Sequence, residues 1–140
     1  ESIELIKQLK ARYFRFLDTR NIEGLQTVFT SDATASFVGG DYDFQLDGWD
    51  QLEAFYKKSF TGQNFGMHNG HHPEICVDGN TSTGIWYLQD IFVSTTSPLR
   101  GARSMKTNID ARTANGESRE PVISGFGKNT INVATMFVCG

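Results

Sequence analysis

The chain has 140 residues, 39% hydrophobic and 21% charged, enough for a single domain with a real core. A net charge of −3 and the lack of a basic stripe argue against a nucleic-acid partner. No apolar run reaches the length of a membrane span and no signal peptide opens the chain, so a cytoplasmic protein with no membrane partner is expected.

The first predicted element is an amphipathic helix from Ile3 to about Asp18. Ile3, Ile6, Leu9, Tyr13, Phe16 and Leu17 recur on one face, with Lys7, Lys10, Arg12 and Arg15 placed mostly elsewhere. Asn21 is a candidate cap for a second, short helix from Ile22 to Phe29, in which Gly24 is a weak point. A strand over Thr34 to Val38, a stop at Gly39-Gly40 and a polar loop from Asp41 to Asp47 follow. A third helix then runs to about Phe60.

From Phe65 the pattern turns to strand. Asp78-Gly79-Asn80 is a strong hairpin signal joining a strand that ends at Val77 to a long one over Thr81 to Ser94. Alternation there places Trp86, Leu88 and Asp90 on one face and Ile85, Tyr87, Gln89 and Ile91 on the other. Beyond a break at Ser94 to Pro98, Arg103 to Arg112 reads as a strand and Ala114-Asn115-Gly116 as a turn. Residues 115–127 read mostly as loop, and Thr130 to Val138 as a last strand. Helices followed by a run of antiparallel strands make an α+β fold.

All three histidines, His68, His71 and His72, lie within five residues of one another. Histidine is the usual proton-transfer group near neutral pH and a common metal ligand. Gly70 and Pro73 oppose the helix on which such spacings normally bind zinc, so a metal site is the minor reading and no metal is expected. A single interior histidine acting as base, with Gly70 marking a bulge, is preferred. Asp90 is a candidate partner, since a carboxylate on an otherwise apolar strand face is costly unless used or paired. The alternative is a solvated strand-end aspartate. Asp18, a carboxylate at a helix C-terminus, opposes the helix dipole, a mild hint of another purpose beside the plainer reading of a solvated turn residue. Gly39-Gly40 lacks the spacing of a phosphate loop or a dinucleotide fold. Cys76 and Cys139 read as two thiols in a reducing compartment.

Several segments taken in order resemble a known family. They are the first helix with Tyr13 and Asp18, then Val28 to Phe37, Gly48 to Tyr56, His68-x-x-x-His72-Pro73-Glu74-Ile75, and Asp78 to Tyr87. Together they resemble the SnoaL-like group of the nuclear-transport-factor-two-like superfamily. That group includes polyketide cyclases, scytalone dehydratase, bile acid 7α-dehydratase and ketosteroid isomerase. The likeness covers roughly residues 1–93.

The resemblance implies one SnoaL-like domain over 1–140. It implies a cone-shaped α+β barrel in which a curved antiparallel sheet wraps the N-terminal helices around an apolar pocket. It also implies proton chemistry with no cofactor, on a small apolar or polycyclic substrate, in a homodimer or homotrimer. The expected activity is that of a dehydratase or isomerase; a non-catalytic ligand-binding or assembly domain is the alternative. Catalytic roles then fall to His68, Asp18, Tyr13 and Asp90, and substrate packing to Trp49, Phe55, Trp86 and Leu88. Two departures stand out. The segment where ketosteroid isomerase carries its base carboxylate is here Ser36-Phe37-Val38, and residues 99–140 lack the aromatic-rich strands of the family.

Overall fold

The computed structural model describes residues 2–39, 42–60, 62, 64–94, 101–113 and 121–127. Helix α1 spans Ser2–Asp18. It forms because Ile6, Leu9, Tyr13 and Leu17 return to one face every three or four residues, and all four are buried. Ile3, assigned to the same face, is 46% exposed at the open end of the helix.

The end of α1 is built with care. Arg20 takes a left-handed φ of 57°. The Asn21 N–H donates to the Phe16 carbonyl at 2.8 Å and the Arg20 N–H to the Leu17 carbonyl at 3.0 Å, the two bonds of a Schellman stop. The Asn21 side chain then accepts from the Gly24 N–H at 2.7 Å, so one residue closes α1 and caps α2, Ile22–Val28.

Strand β1 (Phe29–Gly39) and β2 (Tyr42–Asp47) form a hairpin in which Gly39 pairs with Tyr42. Helix α3 (Trp49–Ser59) starts at Gly48, whose φ of 80° suits a residue without Cβ, and packs on β1 and β2. Next come β3 (Asn64–Asp78) and β4 (Thr81–Ser94), joined by Gly79-Asn80 as the turn signal predicts. β5 (Gly101–Thr113) and β6 (Pro121–Gly127) complete a six-stranded sheet of order β2-β1-β6-β5-β4-β3. The architecture is the expected α+β one, helices first and a mainly antiparallel sheet after, with β2 and β3 as its edges. The core lies between the helices and the sheet, where Leu25, Leu52 and Ala33 are fully buried and Trp86 nearly so. Trp86 and Leu88 are buried while Tyr87 is 52% exposed, as alternation along β4 requires.

Several expectations are corrected. The stretch read as a polar loop, 41–47, contains β2: half-buried Phe44 and Leu46 alternate with exposed Asp43, Gln45 and Asp47, a strand pattern masked by its acidic residues. The strand expected from Thr34 begins at Phe29. Part of the segment read as loop is β6, which runs parallel to β1, so the sheet is not purely antiparallel. The bulge lies between His71 and Glu74, not at Gly70, and His72 there takes a φ of 45°. Lys10, placed off the apolar face, is only 2% exposed. Cys76 is disulfide-bonded, not a thiol. Cys139, the turn at 114–116 and the strand expected over Thr130 to Val138 lie outside the described residues.

Candidate active site

Asp18 is the last residue of α1, and the Schellman turn after it holds its carboxylate against β3, the strand on which α1 packs most closely. Its Oδ1 lies 2.6 Å from His68 Nδ1, and its Oδ2 accepts the His68 backbone N–H at 3.2 Å. One carboxylate therefore grips both the ring and the main chain of the same residue. A carboxylate accepts, so the neutral imidazole carries its proton on Nδ1 and leaves Nε2 as the free base. The side chains are 13% and 27% exposed, sheltered but reachable.

Among the described residues, two aromatic rings flank the imidazole. Phe14, one turn before Asp18, stacks on it at 5.9 Å and 8°. Phe60 approaches its ring at 6.2 Å. Gly70 explains how close α1 can come: a Cβ there would lie 2.5 Å from the Phe14 ring. The dyad opens on a cleft of about 510 Å³ lined by Phe14, Arg15, Asp18, His68, Gly70 and His71, among others.

Tyr13 lies deeper. Its hydroxyl is 3.4 Å from that of Tyr56, and both phenols are buried. Burial pushes both phenols above the ordinary tyrosine value; the Asp18 charge adds to the shift at Tyr13, and Tyr13 itself adds to that at Tyr56. Both hydroxyls stay protonated donors. Lys10 lies beside them, its ammonium 4.5 Å from the Phe14 ring centre, 4.6 Å from that of Tyr13 and 5.6 Å from that of Trp86. Burial holds its pKa well below the ordinary lysine value of 10.5.

Of the residues singled out by sequence, His68 and Asp18 meet directly. Tyr13 meets Tyr56 and does not line the cleft. Asp90 occupies the register position opposite His68 on β4; its side chain lies outside what the structure describes. Trp49, Trp86 and Leu88 are buried, and Phe55 packs between Phe37, Phe44 and Tyr56. None of these four lines the cleft. His71 lines it, while His72 stands in the bulge. Among the described residues, no three of His, Cys, Asp and Glu are grouped to hold a metal ion.

Sequence reasoning passed over Lys10, Phe14, Arg15, Tyr56 and Phe60. A signal existed for Lys10, which stands four residues after Ile6 and three before Tyr13, on the buried stripe itself. Nothing in the local pattern could show that Phe14 flanks His68, since α1 and β3 are far apart in sequence.

Solved structures share this architecture. A protein provisionally named scytalone dehydratase from Novosphingobium aromaticivorans DSM 12444 matches with a TM-score of 0.76 at 15% identity, over 99% of this chain and 90% of that one. An NTF2-like protein with a cystatin-like fold from the same species matches at 0.68 and 18% identity, over 90% and 79%. The β subunit of benzoate 1,2-dioxygenase from Burkholderia mallei ATCC 23344 matches at 0.66 and 16% identity, over 86% and 85%. At such identities the likeness shows the fold alone. The SnoaL-like domain model matches residues 1–125, reaching past the strands that looked familiar and through most of β6, and the chain belongs to that family.

Proposed function

We propose that this chain is an acid–base enzyme working without a cofactor, a dehydratase or isomerase acting on a polycyclic, polyketide- or steroid-like small molecule. The observation that carries the reading is the 2.6 Å contact between Asp18 and His68 Nδ1 at the mouth of an open cleft. It aims a tautomerically fixed base at whatever occupies that cleft. In an elimination, Nε2 takes a proton from the carbon beside an electron-withdrawing group. The C–H electron pair becomes the new C=C bond, and the C–O bond breaks. The imidazolium returns its proton to the departing hydroxide, which leaves as water. In an isomerisation the same proton is returned to another carbon. Asp90, at the register position opposite His68 on β4, is the proposed further acid–base residue.

The test is hydrogen–deuterium exchange of the acidic C–H groups of 2-tetralone in D₂O, followed by proton NMR. The wild-type protein is expected to accelerate exchange above buffer, and His68→Gln to remove about 10²- to 10⁴-fold of that acceleration. Exchange in His68→Gln at the wild-type rate would sink the reading.

A second reading, a non-catalytic ligand-binding or assembly domain, draws on the Tyr13 and Tyr56 hydroxyls, which face one another. It predicts ligand binding with no exchange above buffer.

A further inference from the structure

Two charged residues of α1 line the cleft beside His68. Asp18 is engaged by the imidazole. Arg15, one turn earlier, is exposed. Its guanidinium lies 5.1 Å over the Phe16 ring, and among the described residues no carboxylate stands within ion-pair distance of it. Arg15 is the one permanent cation in the cleft's described lining.

The strand side adds a donor. Among the described residues β3 is an edge of the sheet, so every second N–H along it turns away from β4. The His68 N–H is one of these, because it donates to Asp18. Antiparallel pairing repeats every two residues, and the register His68 to Asp90, Gly70 to Leu88 is unbroken here. The Gly70 N–H therefore also leaves the edge, on the cleft side, and Gly70 is solvent-exposed. Arg15, a lining residue whose exposed guanidinium rests over Phe16 beside the cleft, and a main-chain N–H of the same cleft together suit a carboxylate.

We propose that the cleft takes a planar substrate bearing a carboxylate, held by Arg15 and the Gly70 N–H, with the reacting carbon at His68. This rests on His68 being the base, and it adds the chemical class of the substrate. The Asp18 charge sets the direction of binding: it repels a carboxylate from the dyad and leaves the C–H end there. The Phe14 ring, stacked with the imidazole in the cleft's lining, suits an aromatic or conjugated body.

The experiment compares 2-naphthoate with the neutral 2-naphthalenemethanol by chemical-shift titration at pH 7 and low salt. Wild type is expected to bind the carboxylate about 5- to 10-fold more tightly, and added salt to erode the difference. Arg15→Met should abolish the preference, Arg15→Lys keep part of it, and His68→Gln keep it. Equal affinities in wild type, or a preference that survives Arg15→Met, would overturn the carboxylate site. Either result leaves the His68 base to be judged by exchange alone. Conversely, a preference that depends on Arg15 stands even if His68→Gln exchanges normally.

Discussion

At the scale of single residues, Asp18 acts through His68. Its two oxygens hold the ring and the main chain of the same residue, so its substitution changes the state of the base as well as its position. An asparagine amide there can offer its N–H₂ to Nδ1, which drives the ring proton onto Nε2 and blocks the base. Asp18→Asn is therefore expected to slow exchange about 10²- to 10⁴-fold, with the fold unchanged by circular dichroism. Exchange at the wild-type rate would mean that the contact positions nothing. Residue type pointed to the segment that holds all the histidine and hinted at Asp18, a carboxylate set against a helix dipole; the choice of His68 and Asp18 as catalytic residues is what the family resemblance implied. Which of His68, His71 and His72 reaches Asp18 depended on how α1 packs on β3.

Elements meet here at glycines. Gly24 lies inside α2 and reads as a weakness, because alanine favours a helix by up to about 1 kcal/mol over glycine. Packing reverses that sign. A Cβ at Gly24 would stand 2.6 Å from the Phe16 ring and 2.9 Å from the Asn21 side chain that caps the helix. Gly24→Ala is expected to destabilise the protein by roughly 1–3 kcal/mol, measured by urea unfolding. A gain in stability would show that Phe16 yields at no cost. The same turn sets the direction in which Asp18 leaves α1, so this contact also shapes the site. Helix positions and the Gly79-Asn80 hairpin were legible because they rest on local periodicity and turn chemistry. β2 was not, because three acidic residues, Asp41, Asp43 and Asp47, hid its alternation.

For the whole molecule, Lys10 couples the fold to pH. Burial lowers its pKa in the folded state below the ordinary 10.5, so between those two values the unfolded chain binds more protons than the folded one. Stability then rises with pH through that window and falls as pH drops towards the lowered value. Lys10→Met is expected to be more stable than wild type by about 1–4 kcal/mol at neutral pH, with an advantage that shrinks as pH approaches 10. Denaturant unfolding at several pH values checks it, and a pH-independent difference would assign the effect to packing instead.

By itself the sequence determined the order of most elements, the main hairpin, the Asn21 cap and the segment that carries the imidazoles. These depend on neighbours within a few residues, where sterics and hydrogen-bonding groups act directly. Only the tertiary structure decided that β6 lies parallel between β1 and β5, that Lys10 is enclosed by rings, and that His68 is the histidine facing Asp18. Those outcomes join residues far apart in the chain. The competition among such distant contacts is settled by the packing of the whole core, which no local pattern records.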